Sequence, residues 1–96
     1  MKPSEAIQQH RKAIRQIVYE HRAANPRIFG SVAEGKDHDG SDLDLLVDPL
    51  PEASLLDVAM IQVELEALLG VPVDVVTPNA LATGFRAQAL KMARAL

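Results

Sequence analysis

Apolar side chains recur at helical spacing near the start of the chain. The segment "PSEAIQQHRKAIRQIVYEHRA" places Ile7, Ile14 and Val18 on one side of a helix. Pro3 is a helix-start signal, and the residue before Pro26 is pushed out of helical geometry. We therefore expect an amphipathic first helix that ends at the "ANP" segment.

A second long helix is predicted over "SLLDVAMIQVELEALLG", with Ser54 as its N-cap and Gly70 as its stop. Its expected buried face comprises Leu55, Val58, Ala59, Gln62, Leu65 and Leu69. Met60 and Met92 are interpreted as core residues, because methionine fills gaps in apolar interiors. The tail from Leu81 to Leu96 predicts a last helix.

Three short segments between these helices predict β-strands, namely "RIF", which ends at Gly30, "DLDLLV" and "VPVDVVTP". The segment "SVAE" predicts a helical turn, and "KDHDGS" predicts a loop. This order indicates an α+β fold, with a small mixed sheet of about three to four strands covered by helices on at least one face. The 96 residues are expected to form a single domain, residues 1–96.

The composition limits the partners that the domain can have. A formal net charge of −3 opposes binding to a phosphate backbone, and three aromatic residues offer little stacking surface, so no direct nucleic-acid binding is expected. The absence of cysteine excludes disulfides and thiolate zinc sites. Because no segment has the pattern of a signal peptide or a membrane span, we expect a cytoplasmic protein without a membrane partner.

The second predicted strand carries acids within an apolar segment. Successive strand residues point to opposite faces, so Asp42 and Asp44 share one face while Leu43 and Leu45 can enter the core. The third strand repeats this pattern with Asp74 between two valines. If the two strands are neighbours in a suitable register, Asp74 joins the other two carboxylates.

Three converging carboxylates repel one another, and divalent cations relieve that repulsion. Carboxylate oxygens suit magnesium, which shares its remaining positions with water and substrate phosphates, and two such ions form the clamp used for displacement at phosphorus. The Gly30-Ser31 pair is suited to a phosphate, because glycine allows close approach and the following turn presents amide hydrogens. The sequence thus predicts metal and polyphosphate sites side by side.

These residues carry a resemblance to a known family. Gly30-Ser31, ten intervening residues and then Asp42-Leu43-Asp44 form a pattern similar to the signature of the DNA polymerase β-type nucleotidyltransferase superfamily. For so short a chain, the matching family is that of minimal nucleotidyltransferase (MNT) domains. The resemblance extends over residues 28–76 and takes Asp74 of "VDVV" as the third carboxylate.

The resemblance implies a nucleotidyltransferase-like fold and transfer of AMP from ATP. It also implies that Asp42, Asp44 and Asp74 are the catalytic residues and hold Mg²⁺, with two ions expected. It assigns Gly30, Ser31 and Ser41 to the nucleotide. Many stand-alone MNT proteins are antitoxins encoded beside a HEPN-domain toxin, and the implied acceptor is a tyrosine of that partner. The sequence leaves open the acceptor, the nucleotide preference, the number of AMP groups and a homo-oligomer.

The same residues allow other interpretations. The acids alone could form a solvated strand face, and "DHDGSDLDLLVD" resembles a calcium loop, but Asp42 stands where that loop requires glycine. Asp48 is interpreted as a loop or cap residue. Glu34 replaces an arginine common in related sequences and favours an inactive module that neutralises its partner by binding, although Lys36 could compensate. Transfer to a small hydroxylated molecule is a weaker alternative.

Overall fold

The computed structural model describes all 96 residues and contains one four-stranded mixed sheet with four helices. The elements are α1 (Pro3–Glu20), β1 (Ala23–Phe29), α2 (Gly30–Ala33), β2 (Leu43–Pro49), α3 (Leu55–Leu69), β3 (Val73–Val76), a 3-10 turn (Pro78–Ala80), α4 (Thr83–Met92) and β4 (Arg94–Ala95). The strand order is β3-β2-β1-β4, with β2 parallel to β3 and β1 antiparallel to both of its neighbours. The predicted α+β fold with a small mixed sheet is confirmed.

The boundaries of α3 follow from local chemistry and agree with the sequence prediction. The hydroxyl of Ser54 accepts a hydrogen bond from the backbone amide of Asp57, whose carboxylate accepts one from the amide of Ser54. Gly70 ends the helix in the left-handed conformation, with φ of 69°. Both ends are therefore fixed by residues that the sequence singles out.

The start of β1 differs from the prediction. Helix α1 ends at Glu20, and the "ANP" segment lies within a strand that begins at Ala23 instead of in a break before "RIF". Two non-glycine residues with positive φ, Arg22 and Asn25, turn the chain at this point. The register between β1 and β2 shifts between Ala24 and Arg27, and this irregularity accommodates a proline, which has no amide to donate.

The tail is also shorter as a helix than predicted. Helix α4 ends at Met92, and Arg94–Ala95 pairs with β1 as a fourth strand. The amide of Leu96 donates to the carbonyl of Pro26, and the guanidinium of Arg15 donates to the carbonyl of Leu96 at 3.1 Å. These contacts are with residues far away in sequence, so no local pattern indicates them.

The two faces of the sheet have different roles. Leu43, Leu45 and Val47 project into a core of fifteen buried residues that α1 and α3 cover. On the other face, Leu46 joins Phe29 and Ala89 of α4 in a smaller cluster. Helices α1 and α3 therefore pack on one face, and α4 packs on part of the other. On this second face Asp74, in β3, is exposed.

The predicted burial of α3 is wrong for part of the helix. The inward residues are Ile61, Leu65 and Leu69, whereas Leu55 is 89% exposed. Ala59 is also exposed. The methionines interpreted as core residues, in α3 and at the end of α4, are likewise accessible. None of the helices combines the length and apolar content that a membrane span requires.

Candidate functional site

The pairing of β2 with its two neighbours brings separated acids together. Asp44 stands opposite Asp74 in the parallel pair and opposite Phe29 in the antiparallel pair. Residues opposite one another in a sheet share a face, so the two carboxylates lie on the side away from the main core. Asp42, which the sequence predicts within the strand, comes immediately before β2 begins at Leu43, and its charge is close enough to act on the Asp44 carboxyl. The register therefore places Asp44 and Asp74 on one face, with Asp42 next to them.

The Gly30-Ser31 turn lies directly against this acidic strand. A Cβ atom added at position 30 would lie 2.4 Å from Oδ2 of Asp44, closer than any real contact of that kind. Gly30 also has φ of +71°, a conformation that side-chain-bearing residues rarely adopt. The positive φ therefore favours glycine whatever the space, and a side chain at position 30 would also have to displace the carboxylate of Asp44.

The electrostatics of this face reflect uncompensated negative charge. Burial, followed by the charges of Asp74 and Asp42, raises the pKa of the half-buried Asp44 carboxyl above its ordinary value of 3.8. Asp42 and Asp74 are exposed to solvent. A group of neighbouring carboxylates of this kind is the donor set that a hard divalent cation would stabilise. As the side chains stand, no three of them converge closely enough to share an ion.

Asp48 lies on the same face of β2 but has its own partner. The guanidinium of Arg27 donates to both of its carboxylate oxygens at 3.0 and 3.1 Å, and the amide of Asn25 donates at 3.0 Å. The hydrogen bonds from Arg27 lower the pKa of the Asp48 carboxyl. The interpretation of Asp48 as a loop or cap residue is wrong, since it is a strand residue in a structural ion pair.

The predicted nucleotide-binding serines lie in different surroundings. Ser31 is half-buried in the first turn of α2, next to the contact between Gly30 and Asp44. The hydroxyl of Ser41 accepts a hydrogen bond from the amide of His38 at 2.9 Å, which closes the turn that leads into the acidic strand. Ser31 is therefore placed at the site, whereas the hydroxyl of Ser41 is engaged within its own loop.

A small cavity opens beside the Gly-Ser turn, and sequence reasoning missed it. It has a volume of about 100 Å³ and is lined by Gly30, Glu34 and, from α4, Phe85, Gln88 and Met92. No local signal relates α4 to the turn, because the two elements are far apart in the chain. A larger open hollow of about 620 Å³ runs along α1, on the opposite side of the sheet from the carboxylates.

A mixed four-stranded sheet with an acidic strand beside a Gly-Ser turn defines the class of protein as a nucleotidyltransferase-like domain. The family model described as "Polymerase beta, Nucleotidyltransferase" matches residues 12–96 of the chain. The chain therefore belongs to the polymerase beta nucleotidyltransferase family. It is an enzyme of the nucleotidyltransferase class, and the resemblance seen in its sequence is confirmed.

Curated relatives of the chain carry related names. It is 37% identical over 75 residues, 78% of this chain and 81% of the relative, to the provisionally named protein adenylyltransferase MJ0435 of Methanocaldococcus jannaschii. Over 64 residues, which are 67% of this chain and 65% of the relative, it is 39% identical to the protein adenylyltransferase MntA of Thermococcus cleftensis.

Solved structures share the fold. A structure provisionally described as a minimal nucleotidyltransferase superposes with a TM-score of 0.84 at 41% identity, covering 97% of this chain and 93% of that one. A crystal structure of a toxin-antitoxin with AMP-PNP superposes with a TM-score of 0.72 at 18% identity, covering 97% and 71%. At that identity the second likeness concerns the fold alone.

Proposed function

We propose that the chain is an antitoxin that transfers AMP from ATP to a hydroxyl group, specifically a tyrosine, of a partner HEPN-type toxin, with Mg²⁺ as cofactor. The observation that carries the proposal is the position of Asp44, which lies between the Gly30-Ser31 turn on one side and Asp74 on the other. The names of the relatives as protein adenylyltransferases support AMP as the transferred group. The toxin-antitoxin with AMP-PNP shares the fold and is consistent with a toxin partner.

The carboxylates are assigned to the metal and to the acceptor. Asp42 and Asp44 would hold magnesium, which when bound neutralises the charge of the triphosphate. The negative charge that contributes to the raised pKa of Asp44 is the feature that such a cation would relieve. Asp74 is exposed beside Asp44 and is assigned to orient the acceptor hydroxyl and receive its proton.

The Gly30-Ser31 turn is assigned to the triphosphate. The absence of a side chain at Gly30 lets the backbone approach a bound phosphate, and the hydroxyl of Ser31 is available as a further donor. In the transfer the acceptor oxygen forms a bond to the α-phosphorus. The bond from that phosphorus to the oxygen that bridges the α- and β-phosphates breaks, and pyrophosphate leaves. The protein contributes mainly alignment and charge stabilisation, which supply most of the rate enhancement in such displacements.

A second candidate function is a binding module that neutralises its toxin with little or no transfer. One observation favours it: the exposed carboxylate of Glu34 lines the cavity beside Gly30, where a triphosphate would meet a negative charge. The exposed Lys36 lies two residues further on and supplies an opposite charge in the same segment. The balance between these two opposite charges affects the affinity for the nucleotide and does not alter the carboxylates of Asp42, Asp44 and Asp74.

The two functions are separated by whether label from ATP reaches the toxin, and the position of the label identifies the group that is transferred. The purified chain is incubated with its partner toxin, magnesium and ATP labelled at the α- or the γ-phosphorus. AMP transfer places the α-label, and not the γ-label, on the toxin. The variant combining Asp42→Asn with Asp44→Asn should abolish labelling, while Asp48→Asn, on the same strand face, should retain it.

The opposite results would contradict the transfer reaction. Labelling that persists in the double variant would remove the carboxylates from the chemistry, and γ-labelling would indicate phosphoryl transfer instead. Toxin neutralised without any label, by wild type and double variant alike, would establish the binding module.

A further inference from the structure

The outer face of α3 is apolar although it faces solvent. Leu55 is 89% exposed, Leu56 69% and Val63 57%, and Met60 is 37% exposed. At 100° per residue these side chains and the exposed alanines of the helix occupy one continuous arc opposite the buried Ile61. A helix that is apolar all round is normally covered on both sides, and large exposed apolar patches mark interaction surfaces.

The border of this arc is acidic. Asp57 and Glu64 lie seven residues apart along one edge of the arc. Glu66 lies at the other end of the arc beside Leu55, and its carboxylate accepts a hydrogen bond from the amide of Val73. All three acids are half-buried. Residues 37–85 contain ten of the thirteen acidic residues of the chain and none of its ten lysines and arginines. The imidazole of His21 contacts Glu64, but no lysine or arginine of α3 or its neighbouring loops is available to balance the border.

This charge pattern selects the occupant. A second copy packed through the same face would bring acidic borders against acidic borders, which disfavours a two-fold contact. The accessible side of α1 is polar and basic, with Gln8, Arg11 and Lys12, and has no apolar stripe to cover the arc. The complementary surface is an amphipathic helix whose apolar stripe is edged by lysine or arginine.

We propose that the outer face of α3 is the docking surface for a partner protein and that it binds a basic-edged amphipathic helix of that partner. The partner's identity as the toxin rests on the proposed function, whereas the chemistry of the surface does not. Because α3 covers the sheet face opposite Asp42, Asp44 and Asp74, docking leaves the carboxylate face open. Binding through α3 and transfer at the carboxylates are thus separable.

The first test uses two labelled synthetic helical peptides of equal length with the same leucine stripe, one edged by lysine and the other by glutamate. Fluorescence anisotropy should show binding of the lysine-edged peptide alone, weakening as salt is raised. Val63→Glu should weaken it by at least about tenfold, as expected for a central interface residue. Tyr19→Glu, on α1 and equally exposed at 57%, is the matched control and should not change it.

Equal binding of both peptides would overturn the proposal. Equal affinity of Val63→Glu and Tyr19→Glu for the lysine-edged peptide, with both variants keeping the wild-type circular dichroism spectrum, would also overturn it. So would a dimer in sedimentation equilibrium that Val63→Glu alone dissociates, because a second copy would then be the occupant.

The partner toxin provides the second test. Without ATP it should co-elute with wild type and with the Asp42→Asn, Asp44→Asn variant, but not with Val63→Glu. Co-elution that survives Val63→Glu would overturn the docking surface. If Val63→Glu behaves as expected but no label from ATP reaches the toxin, the proposed transfer fails and the docking surface stands.

Discussion

Replacement of Gly30 by alanine tests the contact on which the candidate site is built. The added Cβ would lie 2.4 Å from Oδ2 and 3.3 Å from Cγ of Asp44, so the carboxylate must move. Alanine must also adopt φ of +71°. Backbone strain of that kind lowers the free energy of unfolding by about 1–3 kcal/mol. Alanine restricts the unfolded chain more than glycine does, and this offsets about 0.4–1 kcal/mol of the loss.

Gly35→Ala is the matched control, because Gly35 has φ of +72° and nothing within 4 Å of its added Cβ. Both variants share the cost of the backbone conformation, and only Gly30→Ala displaces Asp44 from its rotamer, at about 0.5–1.5 kcal/mol more. Since 1 kcal/mol shifts the Tm of a domain of this size by about 4–8 °C, Gly30→Ala should melt roughly 5 °C below Gly35→Ala. Thermal denaturation followed by circular dichroism measures the difference.

The clash also predicts a coupling between two substitutions. In an Asp44→Ala background the nearest remaining atom is Cβ of residue 44, at 3.6 Å, which is an ordinary contact. The penalty of Gly30→Ala should then fall to that of Gly35→Ala, and the double-mutant cycle should give a coupling of about 1 kcal/mol. Equal melting temperatures for Gly30→Ala and Gly35→Ala, with no coupling to position 44, would refute the close approach.

Three further predictions concern the ion pair, the α3 cap and the metal. Hydrogen bonds from Arg27 lower the pKa of the Asp48 carboxyl, so Asp48→Asn should cost at most about 1 kcal/mol at pH 7. The contribution of this ion pair to stability is complete above pH 3.8, the ordinary pKa of the carboxyl, and is lost as the pH falls through the lowered pKa. The Tm difference from wild type should therefore vanish in strong acid. A Tm difference that does not depend on pH would contradict this prediction. Ser54→Ala should cost about 1 kcal/mol in urea denaturation and Ser54→Gly only a few tenths, because glycine tolerates the cap position; equal losses would show that the cap contributes little. MgCl₂ at ten times its Kd should raise the wild-type stability by about 1.4 kcal/mol and leave Asp44→Asn unchanged, with NaCl of equal ionic strength as the control; an equal response of both proteins would place the ion elsewhere.

Features set by neighbouring residues could be predicted from the sequence. The capping box of Ser54 and Asp57 and the left-handed Gly70 fix α3 locally. The alternation of acids and leucines in β2 needs only the two-residue period of a strand. From the sequence, the closeness of Asp74 to Asp44 is conditional on strand order, which the parallel pairing of β2 with β3 supplies.

Features that depend on distant partners could not be predicted. The ion pair of Asp48 requires Arg27 on another strand, and β4 forms because the tail meets β1. The strand start at Ala23 directly follows a positive φ at Arg22, a residue type that does not demand that conformation. For α3, apolar residues all round the helix left no polar face from which to tell the inward side.

The assignment of the carboxylates is tested most directly by the position of metal and nucleotide in a crystal of the chain grown with Mn²⁺ and a non-hydrolysable ATP analogue. Anomalous density is expected within about 2.1 Å of carboxylate oxygens of Asp42 and Asp44, with the triphosphate against Ser31. Metal bound at Asp48, or a nucleotide seated in the hollow along α1, would contradict it.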